Sequence, residues 1–97
     1  MIIVRGVNVY PTAVEQILRG FPEVTEYRAR ITRKNSLTEL QIEVEPTATC
    51  GDVMMLTARI GQAFETALAL RVPVNVVAPG TLPRFEMKAK RWVLEGR

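Results

Sequence analysis

Val24-Thr25-Glu26-Tyr27-Arg28-Ala29-Arg30-Ile31-Thr32, followed after Arg33-Lys34-Asn35-Ser36 by Leu37-Thr38-Glu39-Leu40-Gln41-Ile42-Glu43-Val44-Glu45, commits the centre of this chain to a sheet. Side chains in a strand alternate between two faces, so Tyr27, Ala29 and Ile31 share one side of the first run. Leu40, Ile42 and Val44 do the same in the second. Arg28, Arg30, Glu39, Glu43 and Glu45 then fill the opposite side. The polar link between the runs predicts a β-hairpin, with acids and bases placed to pair across the strands for roughly a few tenths of a kcal/mol each. Its charged side reads as a solvated sheet face.

Upstream of the hairpin, Thr12-Ala13-Val14-Glu15 fits the Ser/Thr-x-x-Glu capping box, and Val14, Ile17 and Leu18 follow at helical spacing. A helix over about 12–19 is predicted, with Gly20 ending it and Pro11 stopping the extended segment before it. Further back, Ile2-Ile3-Val4 and Val7-Asn8-Val9 are β-branched runs on either side of Arg5-Gly6, which reads as a small hairpin with glycine at the bend. Downstream, Gly51-Asp52 caps a longer helix from 53 to about 70. Its apolar positions Val53, Leu56, Ile60, Phe64, Ala67 and Leu68 make one core-facing stripe, with Met54 and Met55 beside it. Val72-Pro73-Val74-Asn75-Val76-Val77 reads as a final strand, with Pro73 at its start or on an edge. The predicted class is α+β: a two-layer sandwich with a small, mostly antiparallel sheet, two helices on one face, and a short N-terminal hairpin in front.

Ninety-seven residues, 47% hydrophobic and 24% charged, make one ordinary globular domain. Such a domain leaves little room for a deep pocket holding a nucleotide, an acid and a thiol carrier together. The net charge of +3 is modest and its bases are dispersed, without the aromatic-studded basic stripe of a nucleic-acid binder. One cysteine, Cys50, and no histidine exclude an internal disulfide, a Cys/His metal site and a histidine relay. The chain offers neither a secretory signal nor an apolar run of about 18 residues. A cytoplasmic protein that contacts neither membrane nor nucleic acid is expected.

The remaining concentration of charge is the tail Leu82-Pro83-Arg84-Phe85-Glu86-Met87-Lys88-Ala89-Lys90-Arg91-Trp92-Val93 after Pro79-Gly80. Basic runs of this kind are mostly solvated, and Trp92-Val93 reads as an apolar anchor for the tail. Taken with Ile2-Ile3-Val4-Arg5-Gly6-Val7-Asn8-Val9-Tyr10-Pro11, however, this tail resembles the C-terminal domain of adenylate-forming acyl-CoA ligases, and within them the phenylacetate-CoA ligase family. There an arginine-glycine pair precedes Asn, Val, an aromatic and Pro near the start, and a lysine motif closes the domain. The likeness covers nearly the whole chain. It divides 1–97 into a hinge-proximal hairpin (1–10), an α+β core (11–78) and a catalytic-lysine tail (79–97).

The resemblance implies a ligase with two half-reactions: ATP-dependent adenylation of an aryl acid with magnesium, then thioester formation with coenzyme A. It places Lys88 in the catalytic lysine position, with Arg84, Glu86 and Lys90 as its supporting tail. It also places Arg5 and Gly6 beside the coenzyme A channel. ATP, magnesium and coenzyme A belong to the complete enzyme, and none is expected to bind this chain alone. The implied partner is a large N-terminal adenylation domain, in cis or in trans. Phe85 and Met87 stand where the family has Ser and Gly. They carry the alternative reading, a stand-alone non-catalytic dimerisation or regulatory module, which implies either self-association as a homodimer or a separate partner.

Overall fold

The computed structural model describes residues 1–34, 37–78, 80–82 and 92–95. The chain runs β1 (Ile2–Val4), β2 (Val7–Val9), α1 (Pro11–Arg19), β3 (Val24–Lys34), β4 (Leu37–Pro46), α2 (Val53–Leu68), β5 (Val74–Val76) and β6 (Trp92–Glu95). β1 and β2 form a separate antiparallel pair, and the other four strands form one sheet in the order β5-β4-β3-β6. The α+β class expected from the sequence is borne out.

At the centre, β3 and β4 pair antiparallel with Tyr27 opposite Val44, Ala29 opposite Ile42 and Ile31 opposite Leu40. Like faces like because two period-2 patterns joined by a tight hairpin can only meet in phase. All six side chains are buried, and Val14 and Leu18 of α1 and Leu56, Ile60 and Phe64 of α2 complete the same core from the helix layer. The hairpin β1/β2 adds Val4 and Val9 to it. Arg59 of α2 ties that helix to the segment before β3, bonding Glu23 at 2.9 Å and lying 5.2 Å from the centroid of the Phe21 ring.

Several local expectations change. The capping box at Thr12 does not form: Pro11 takes the first helical position and Tyr10 is the N-cap, with no side-chain cap bond. Proline suits that place because its φ is already helical and the amide it lacks would have had no helical partner. The earlier start moves Glu15 beyond the reach of a box, and its carboxylate turns inward. In α2, Asp52 caps as expected, accepting from the Met55 amide at 3.1 Å. The buried stripe is narrower than predicted, since Val53 and Ala67 are exposed. The helix also stops at Leu68, with Ala69 in the left-handed region at φ 53°.

The tail was not expected to supply a strand, yet Trp92–Glu95 pairs parallel with β3, Trp92 beside Ala29. β5 likewise runs parallel to β4, with Val74 beside Ile42, so α2 makes a crossover between neighbouring parallel strands. The sheet is therefore mixed: its long central ladder is antiparallel and its two short outer ladders are parallel. Val74–Val76 is an edge strand just after Pro73, as the proline required. Trp92 is half-buried against the core, which bears out its reading as an anchor.

Candidate functional site

Arg5 and Gly6 are the two-residue turn of the N-terminal hairpin, closed by the Val4 and Val7 pair. Their φ angles are 50° and 80°, the double positive φ that matches the twist of paired strands. Glycine takes such a conformation freely. Open space surrounds a Cβ built at Gly6, so the backbone conformation rather than crowding requires glycine here. Arg5 pays for the same geometry with a side-chain clamp, its guanidinium meeting both carboxylate oxygens of Glu39 on β4 at 2.9 to 3.1 Å. A shallow groove beside the turn is walled by Ile3 and Leu37 and rimmed by Arg5 and Arg33.

On the sheet face away from the helices, Glu43 bonds Arg28 at 2.7 Å and Arg30 at 3.4 Å. Burial raises the Glu43 carboxyl, but the hydrogen bond from Arg28 and the charges of both arginines outweigh it and hold the group below its ordinary range. This face was expected to be solvated. The three side chains keep only 16 to 25% exposure, so it is a half-buried ion-pair cluster.

Glu45 departs further, because alternation places it on that same charged face and it is 1% exposed. The register of β3 against β4 shifts between Val24 and Glu26, which leaves Thr25 as an extra residue. Its hydroxyl donates to the Glu45 carbonyl at 2.9 Å and reaches the carboxylate at 3.5 Å. The other carboxylate oxygen accepts the backbone N–H of Leu82 at 3.2 Å. Leu82 is itself buried, following a turn in which Gly80 has φ 82° and the Thr81 amide donates to Ala78. Glu15 and Glu26 are also buried: Glu15 accepts from the Tyr27 hydroxyl at 2.7 Å and from Arg19 at 2.7 Å, and Glu26 accepts from the Tyr27 amide at 3.1 Å.

Lys88, Arg84, Glu86 and Lys90, together with Phe85 and Met87, lie outside the described residues, which stop at Leu82 and resume at Trp92. The structure therefore brings Arg5 and Gly6 together in one turn and fixes both flanks of the lysine segment. Sequence reasoning missed Glu45, Thr25 and Glu15 as tertiary contacts. A glutamate before proline at the end of a strand was the only hint of the first. Among the described residues there is no cluster of three or more acids, cysteines or histidines fit for a metal ion. No described helix is long and apolar enough to cross a membrane.

A family model for the AMP-binding enzyme C-terminal domain matches residues 6–97. The chain belongs to that family. Phenylacetate-coenzyme A ligase of Thermus thermophilus is 31% identical over the whole of this AMP-binding enzyme C-terminal domain, which spans 26% of that protein. The corresponding ligase of Pseudomonas putida is 30% identical over 92% of the chain, with 22% of its own length covered. The domain thus spans about a quarter of the curated relatives it matches.

Among solved structures, a domain of phenylacetate-coenzyme A ligase from Bacteroides vulgatus superposes with a TM-score of 0.83 at 28% identity. The match covers 100% of this chain and 93% of that one. A 2-hydroxyisobutyryl-CoA ligase, solved with its acyl-AMP and CoA in the thioesterification state, gives 0.84 at 28% identity, covering 97% of this chain and 21% of that one. The resemblance read from the two end motifs is borne out.

Proposed function

We propose that this chain is the C-terminal lid of a phenylacetate-CoA ligase, joining an aryl acid to AMP and then to coenzyme A in concert with a large adenylation domain. The observation that supports this best is the family match over 6–97, with phenylacetate-coenzyme A ligases as relatives. In the first half-reaction a carboxylate oxygen attacks the α-phosphorus of ATP and magnesium pyrophosphate departs. Lys88 supplies an ammonium to the carboxylate and the α-phosphate as negative charge builds. A preorganised donor of this kind is worth on the order of 100- to 1000-fold in rate. In the second, the coenzyme A thiolate attacks the acyl carbonyl and AMP leaves.

The 2-hydroxyisobutyryl-CoA ligase has been solved in postadenylation and thioesterification states, which fits a lid that presents different faces to the two steps. The hairpin is the second face: its apolar walls Ile3 and Leu37 and cationic rim Arg5 and Arg33 suit a pantetheine arm bearing phosphates. Arg84, Glu86 and Lys90 support Lys88 in the first. A cytoplasmic setting accords with Cys50 as a free, half-buried thiol.

The test combines the chain with the large domain of a phenylacetate-CoA ligase, mixed and fused, and follows acid-dependent pyrophosphate release with ATP, magnesium and phenylacetate. Stimulation that falls at least about 100-fold in Lys88→Ala is expected. Unchanged first-step activity in that variant sinks the assignment. A second reading, a non-catalytic dimerisation module, draws on the exposed Met54 and Met55 at 79% and 64%. It predicts a dimer by light scattering and no stimulation of the large domain.

A further inference from the structure

We infer that Glu45 is a positioning residue for the lysine segment, holding the chain at Leu82, six residues before Lys88; the inference rests on the ligase reading of Lys88. Three observations converge. The carboxylate is 1% exposed, although nothing in its strand pattern calls for an acid inside. A buried charge is costly unless its oxygens are bonded, so its retention points to the bonds it makes. One of those bonds reaches 37 residues along the chain to the Leu82 N–H. Leu82 lies six residues before Lys88 in the sequence.

The support behind Glu45 is equally specific. The bulge at Thr25 interrupts the β3/β4 ladder at this one place, and its hydroxyl bonds both the carbonyl and the carboxylate of Glu45. The neighbouring residue Val44 accepts the Val77 N–H at 2.9 Å, so two successive residues of β4 hold the chain before and after the Gly80 turn. At the far flank, Trp92 pairs with β3 beside Ala29. Leu82, before the segment, is thus bonded by the Glu45 carboxylate, and Trp92, after it, is held by strand pairing. A carboxylate acceptor makes a stronger bond to an amide than a neutral one does, which gives Glu rather than Gln a reason to be here.

The consequence is specific to one step. A lysine that must meet an α-phosphate is sensitive to placement, and about 1 Å of error can cost on the order of 100-fold. The hairpin proposed for thioester formation is held instead through Arg5 and Glu39, six residues along β4 from Glu45.

The experiment uses the chain fused to the ligase large domain, with Glu45→Ala, Glu45→Gln, Thr25→Val and Lys88→Ala compared in two assays. These are acid-dependent pyrophosphate release and thioester formation from supplied phenylacetyl-adenylate and coenzyme A. Glu45→Ala is expected to lower first-step kcat about 100-fold with KM for ATP within about twofold, and to leave the second step within about twofold. Glu45→Gln keeps an acceptor oxygen and is expected to recover about tenfold of that loss. Thr25→Val is expected to fall several-fold in the same step.

Equal losses in both steps, or a first step within about threefold of wild type in Glu45→Ala, overturn the inference. If Glu45→Ala does not fold, the decision passes to Glu45→Gln: a first step slowed about tenfold with the second intact supports the role, and parity between steps overturns it. Lys88→Ala separates the two readings. If it retains the first step, the ligase reading and this inference both fall. If it loses that step while the Glu45 variants keep it, only the positioning role falls.

Discussion

Replacing Arg5 with asparagine sets two opposing effects of the hairpin turn against each other. Arg5 sits at φ 50°, where an L-residue with a long side chain pays about 1–2 kcal/mol and asparagine, tolerant of this region, pays less. The same change removes the two-pronged contact with Glu39. Because the Arg5 and Glu39 side chains keep 56% and 33% of their exposure, that ion pair is worth about 0.2–1 kcal/mol after solvent screening. The backbone effect wins narrowly. Arg5→Asn should be more stable than wild type by about 0–1 kcal/mol in low salt.

At 1 M salt, where the Debye length shrinks to about 3 Å, the ion pair contributes little. The advantage should then grow to about 1 kcal/mol. Urea unfolding of the chain at 50 mM and 1 M NaCl reads both values as midpoint shifts at constant slope. Glu39→Gln is the companion: it removes the pair and leaves the backbone alone, so it should cost up to about 1 kcal/mol in low salt and almost nothing in high salt. An Arg5→Asn variant that is less stable than wild type at 1 M NaCl would refute the reasoning, because strain at φ 50° could not then be the larger effect.

Phe64, fully buried between the helix layer and the sheet, should cost about 3–5 kcal/mol on truncation to alanine, a loss visible as a lowered thermal midpoint by circular dichroism. Asp52→Ala removes the cap on the Met55 amide and should cost about 1 kcal/mol in urea unfolding, with Asp52→Asn recovering most of it. Glu43 should contribute to acid sensitivity. Its folded value lies below its unfolded one, so its stabilisation is present above pH about 4.5 and disappears as pH falls through the lowered folded value. A Glu43→Gln variant should therefore lose less stability than wild type between pH 6 and 3, and identical slopes would contradict the ion-pair account.

The parts of the molecule visible in the sequence are those fixed by local period. Tyr27, Ala29 and Ile31 against Leu40, Ile42 and Val44 could be read because hairpin partners are close in sequence, and Leu56, Ile60 and Phe64 because one helix face repeats every four residues. Asp52 as a cap and Gly6 as a turn residue were legible for the same reason: each answers a local backbone need. Trp92–Glu95 was not, since parallel pairing with β3 leaves no pattern in four residues. The capping box at Thr12 failed because Pro11 pre-empted the helix start. Glu45 escaped because one extra residue at Thr25 alters which groups its side chain meets, and a bulge has no reliable signature in an alternating run. The Arg5-Gly6 turn was legible as a turn, while the contact of Glu45 with Leu82 came only from the tertiary structure.

The parallel strand β6 also bears on the order in which the molecule can assemble. β3 and β4 meet through a short link and can zip within microseconds, whereas Trp92 must find Ala29 across about 60 residues of intervening chain. Until it does, the outer edge of β3 presents unpaired amides and carbonyls that another copy could capture. The strand meets that interval with Arg28 and Arg30 on the polar side of its run. A second β3 approaching edge to edge would bring the same two cations against its own, and like charges across neighbouring strands repel. The arginines that pair with acids in the finished sheet thus also discourage self-association during the one stage when the sheet is still open.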